Sequence, residues 1–121
     1  MSDLKPRGVP VTICGEERRL LFTINAVEDI QETLDMPILE ALDVMANDAD
    51  RQYTFIKKIL TVLLDSEADL VKLQTGKDLR RFTEKEVGLL VGTDNKLDIV
   101  LTILQAFNNS MPESSGDDDP N

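Results

Sequence analysis

A chain of 121 residues is the size of one domain, and a domain of this length buries roughly two-thirds of its unfolded surface, enough for a core without metals or disulfides. Its 41% hydrophobic content suits a folded protein, and with 4% aromatic residues and no Trp the core must be mostly Leu, Ile and Val. The net charge of −10, from 23 acids against 13 bases, excludes the electrostatic footprint of a nucleic-acid binder and repels anionic membrane surfaces.

Residues 1–8 are polar, contain Pro6 and Gly8, and read as a flexible leader with no signal-peptide core. Val9, Val11 and Ile13 alternate with Pro10, Thr12 and Cys14, the period-two pattern of a strand with one buried face. Gly15-Glu16 offers a tight turn, and Arg18 to Thr23 supply a second strand, so residues 9–23 are expected to form one β-hairpin with Pro10 at a sheet edge. From Ile24 the period becomes helical: Ile24, Val27, Ile30 and Leu34 share a face, with Thr23 or Asn25 as the cap. Asp35-Met36-Pro37 ends that helix and starts a second, whose stripe is Ile38, Leu42 and Met45.

A third helix is expected between Arg51 and Asp65, where Phe55, Ile56, Ile59, Leu60, Leu63 and Leu64 form a broad apolar face. Within residues 66–82, Leu70, Val71 and Leu73 fit either a further turn or a short strand before Gly76. Thr83-Glu84-Lys85-Glu86 is a capping-box pattern opening a short helix through Val91, with Gly92 as its stop. Thr93 or Asp94 caps a final helix over 95–108, in which Leu97, Leu101, Leu104 and Phe107 face one way. Ile99, Val100 and Ile103 widen that face, so this helix is expected to be central or covered on two sides. Residues 9–112 thus read as a single α+β domain, mainly α, with a hairpin beside a small bundle of four to five helices. Residues 113–121 read as a disordered acidic tail, holding Glu113, Asp117, Asp118 and Asp119 and no base. Even without these four acids the body carries 19 acids against 13 bases, a charge of −6.

Little here can do chemistry. There is no His, so neither a Ser-His-Asp nor a Cys-His centre can be built within one chain. Cys14 is the only cysteine, which rules out an internal disulfide and suits a reducing cytoplasm; on the face of Thr12 it reads as an ordinary strand cysteine. Asp65-Ser66-Glu67-Ala68-Asp69 imitates the start of a calcium loop, but Leu70 stands where the loop needs Gly. Gly76-Lys77 lacks both the upstream Gly and the following Ser/Thr of a phosphate loop. Asp29 with Glu32, and Glu40 with Asp43, have the spacing of solvated helix faces. No enzyme, cofactor or metal is therefore expected. The remaining candidates are partner-binding side chains near helix ends, Met36, Met45, Tyr53, Phe107 and Met111, since Met and aromatic residues suit adaptable binding surfaces.

The order hairpin, two helices, long apolar helix, capped short helix and final apolar helix resembles the phage tail assembly chaperones, in the branch of Gram-positive prophages related to the gene-transfer-agent version. The matching stretches are Arg7-Gly8-Val9, the Gly15 turn leading into Leu20-Leu21-Phe22-Thr23, Asn25 to Gln31 (NAVEDIQ), Asp35-Met36, Thr83 to Gly88 (TEKEVG), and Ser110-Met111-Pro112-Glu113 with the acidic ending. Their order and spacing carry the resemblance, which covers about residues 7–121. Cys14 departs from the polar residue expected in that strand, and residues 66–82 resemble the family least.

The resemblance implies a non-catalytic cytoplasmic protein that binds the helical tape-measure protein, keeps it soluble, helps recruit tail-tube subunits, and is absent from the mature virion. Self-association is left open, and no nucleic acid or membrane is expected as a partner. The apolar faces place a binding groove between helices 51–65 and 95–108, with support from 36–46. The alternative reading is a structural tail component, a tube or minor tail protein.

Overall fold

The computed structural model describes residues 8–110. The leader residues 1–7, Met111, Pro112 and the acidic tail lie outside that range. Strands β1 (Val9–Ile13) and β2 (Glu16–Leu20) pair antiparallel, with Val9 opposite Leu20, Val11 opposite Arg18 and Ile13 opposite Glu16. The turn between them is Cys14-Gly15 rather than Gly15-Glu16. Both residues have positive φ, 55° and 78°, the two-residue geometry that matches the twist of a hairpin. Cys14 is therefore an exposed turn residue and not a member of the strand face. The second strand also stops earlier than Thr23, at Leu20, although Leu21 and Phe22 remain buried.

Helix α1 (Ile24–Leu34) starts where the Thr23 hydroxyl accepts from the Ala26 N–H at 3.0 Å. It ends at Asp35, which turns left-handed with φ 55°. Gln31 then reaches forward: its side-chain oxygen accepts from the Ile38 N–H at 2.9 Å and caps α2 (Ile38–Asn47), which begins after Pro37. Asp48 joins α2 to α3, accepting from the Asp50 and Arg51 N–H groups.

Helix α3 runs from Gln52 to Thr75, ten residues beyond the Asp65 boundary that periodicity suggests. Residues 66–75 add a single fully buried side chain, Ala68, so the apolar stripe fades while the backbone continues to the left-handed cap at Gly76. The helix touches β2 and every other helix, and its Ile56, Ile59, Leu60, Leu63 and Leu64 form the centre of the core. Helix α4 (Glu84–Leu90) carries the full capping box between Thr83 and Glu86. It ends at Val91 in extended backbone rather than at a glycine cap.

Helix α5 (Lys96–Ser110) packs on the hairpin and on α2 and α3, and buries Ile99, Val100, Ile103 and Ala106. Neither Thr93 nor Asp94 provides the ties of the loop before it. Asn95 does, accepting from Gly92 N–H at 2.8 Å and donating to Leu90 O at 2.9 Å. The helix is covered on one side only, since Leu97 and Leu101 are 65% and 55% exposed.

One buried residue fixes the hairpin to the bundle. Arg18 points inward from β2 and is 1% exposed. Its Nε donates to Glu67 Oε1 at 2.6 Å, and its terminal nitrogens donate to the carbonyls of Arg80 at 2.8 Å and Leu64 at 3.3 Å. The second Glu67 oxygen accepts from the Arg19 N–H at 2.9 Å. A guanidinium can be buried here because its donors meet acceptors from three directions.

Candidate functional site

The seam between the start of α1 and the second half of α3 is the open surface of interest. Two hydrogen bonds set its floor. The Thr23 hydroxyl, already capping α1, meets the Ser66 hydroxyl on α3 at 2.8 Å. The Phe22 N–H donates to the Ser110 hydroxyl at the end of α5 at 3.0 Å. These ties bring three elements together around a groove of about 710 Å³.

On α3 the groove is lined by Val62, Asp65, Ser66, Asp69, Leu70 and Leu73, positions three or four residues apart that form one stripe along the helix. Across from them stand Ile24, Asn25 and Asp29 of α1. Leu73 is 83% exposed and Ile24 75% exposed, although Ile24 was expected on the core face of its helix. The helix turns that face inward through Ala26 and Ile30 instead.

The walls are acidic. Asp29, Asp65 and Asp69 line the groove, and no Lys or Arg does. Arg81 stands outside it and bridges two of these carboxylates, at 2.6 Å to Asp69 and 3.3 Å to Asp65. Its hydrogen bond to Asp69 raises its pKa further above the ordinary arginine value, so it stays cationic. Asp29 has no ion-pair partner among the described residues.

The side chains singled out from sequence do not converge on one surface. Met45 is fully buried in α2, and Met36 packs half-buried against the core. Tyr53 is 42% exposed in the first turn of α3, with the Lys96 ammonium 5.1 Å from its ring centre. Phe107 is half-buried and meets Phe22 edge-on at 5.3 Å, directly behind the groove floor. Met111 lies outside the described residues.

The groove expected between 51–65 and 95–108 is closed. Ile56, Ile59, Leu60 and Leu63 of α3 and Ile99, Val100 and Ile103 of α5 are buried in the core, as are Leu42 and Met45 of α2. The residues missed were Ile24, Leu70 and Leu73 with their three flanking carboxylates. On α3 the three-and-four spacing of Asp65, Asp69, Leu70 and Leu73 after Val62 is visible in the sequence once the helix is carried through to Thr75.

Chemically, the site offers a contact surface: apolar side chains between carboxylates, with its hydroxyls already paired. Among the described residues no group of three or more His, Cys, Asp or Glu is placed to hold a metal ion. No helix there is long and apolar enough to cross a membrane. Comparison of the chain with protein-family models, with curated proteins and with solved structures finds no match.

Proposed function

We propose that this protein is a phage tail assembly chaperone, a non-catalytic binding protein that holds the tape-measure protein in soluble form and helps recruit tail-tube subunits. The observation that carries the reading is the α1/α3 groove, where Leu73 and Ile24 are 83% and 75% exposed beside a row of carboxylates. A single exposed apolar residue is ordinary on a protein surface, whereas exposed apolar residues lining one concave seam mark a site of contact. The stretches that resemble the family, NAVEDIQ at Asn25–Gln31 and TEKEVG at Thr83–Gly88, fall on α1 and on the start of α4.

The physical requirement of the task fits these features. A tape-measure protein exposes long amphipathic helices that self-associate unless their apolar faces are covered. A cover with a net charge of −10 also keeps neighbouring complexes apart by repulsion. A structural tail component is the other reading. A tube subunit needs extensive sheet, and the described residues are 65% helical with one two-stranded hairpin, which favours the chaperone.

In the host cytoplasm the protein acts before the tail is complete and then leaves. Immunoblotting of infected or induced cells against purified particles tests this directly. The protein is expected in the lysate and missing from the tails, and deletion of its gene is expected to leave no tails. Stoichiometric retention in purified tails overturns the proposal in favour of a structural component.

A further inference from the structure

We infer that the α1/α3 groove is a docking site for a basic amphipathic helix, one whose apolar stripe packs on Ile24, Leu70 and Leu73 while flanking Lys or Arg side chains pair with Asp29, Asp65 and Asp69. This deepens the chaperone reading by naming the segment the site takes, and it rests on that reading only for the identity of the protein that supplies it.

The dimensions suit a helix. From Val62 to Leu73 the lining stripe of α3 is about 16 Å long at 1.5 Å per residue, enough for about three turns of a partner helix. Its lining residues recur at the spacing that lets one helix seat side chains between those of another. The far end of the stripe carries Leu73, at 83% one of the most exposed apolar side chains among the described residues.

Charge selects among the occupants. All three ionisable groups lining the groove are carboxylates; Arg81, which does not line it, pairs with Asp65 and Asp69, and Asp29 has no ion-pair partner among the described residues. Ser110 lines the groove, but the sequence that follows it carries Glu113, Asp117, Asp118 and Asp119 and no base. A second copy brings a further net charge of −10. Both meet like charge at this surface, whereas a basic helix meets opposite charge on its flanks and apolar surface along its centre.

The test uses the full chain and two fluorescently labelled synthetic helices with the same leucine stripe, one flanked by Lys and one by Glu, read by anisotropy at low salt. The Lys-flanked peptide is expected to bind at least about tenfold more tightly, with the difference shrinking as salt rises. Leu73→Glu and Ile24→Glu are each expected to weaken it at least about tenfold, the scale of losing one apolar contact from an interface. Leu89→Glu, at a position 82% exposed on α4, is expected to leave binding unchanged, and circular dichroism confirms that each variant is folded. Equal binding of the two peptides, no binding of either, or equal losses from Leu89→Glu and Leu73→Glu overturns the inference. So does a gain of about tenfold or more on removing residues 111–121, which makes the tail the occupant. Peptide binding without tape-measure binding in cells refutes the chaperone reading alone; tape-measure binding that survives Leu73→Glu and Ile24→Glu refutes the groove alone.

Discussion

Replacing Arg18 with Met probes how the hairpin is held to the bundle. The guanidinium is 1% exposed and donates to Glu67 and to the carbonyls of Arg80 and Leu64. Removing it leaves the Glu67 carboxylate, itself only 11% exposed, with the Arg19 N–H as its remaining partner. Breaking a buried pair in this way costs about 3–5 kcal/mol because the surviving charge stays buried without compensation. A domain of this size has a total stability of about 5–15 kcal/mol, so the variant should unfold at a much lower urea concentration. Glu67→Leu combined with Arg18→Met removes both charges and should be no less stable than Arg18→Met alone, since the orphaned carboxylate has gone. Urea unfolding followed by far-UV circular dichroism measures Arg18→Met, Glu67→Leu alone and the double variant. A loss below about 1 kcal/mol for Arg18→Met, or a double variant that loses the sum of the singles, refutes the pinning role.

Other expectations follow from burial and from charge. Met45→Ala should cost about 2–5 kcal/mol in the same unfolding assay, because a side chain with no exposure leaves a cavity in the core; peptide binding by the folded fraction should be unchanged. Asp48 sits between α2 and α3 with its carboxyl held below the ordinary value of 3.8, chiefly by the hydrogen bond from the Arg51 side chain and further by the Arg51 and Asp50 N–H groups. The charged form is therefore favoured by folding: its contribution is complete above pH 3.8 and is lost as pH falls through the lower folded value. Asp48→Asn should reduce the acid sensitivity of the melting temperature in that window, and an unaltered pH profile would refute the role.

Much of the architecture can be read from the residues because it depends on local chemistry. Thr83 and Glu86 specify their helix start by a reciprocal pair of hydrogen bonds, and Thr23 caps α1 with its own hydroxyl. The alternation of Val9, Val11 and Ile13 sets the buried face of β1. What depends on distant partners is not legible in this way. Arg18 looks like a surface residue until Glu67, 49 positions away, is brought against it. The second half of α3 lacks an apolar stripe of its own on the core side, since its continuation to Thr75 buries only Ala68 beyond Leu64. The same boundary governs the site: a helix ending at Asp65 does not align Leu70 and Leu73 with Val62, whereas one reaching Thr75 does. On α5, Leu97 and Leu101 lie on an exposed side that composition alone does not distinguish from buried Ile99 and Ile103.

A tail assembly chaperone must keep its tape-measure protein soluble. Co-expression with the longest coiled-coil-like protein encoded beside it, followed by size-exclusion chromatography of the soluble fraction, measures that property. The partner is expected to be soluble only when this chain is present, and the two are expected to elute together. A partner that is equally insoluble with and without this chain, or that elutes separately from it, overturns the chaperone reading, and assembly of this chain alone into tubes or rings makes it a structural part of the tail.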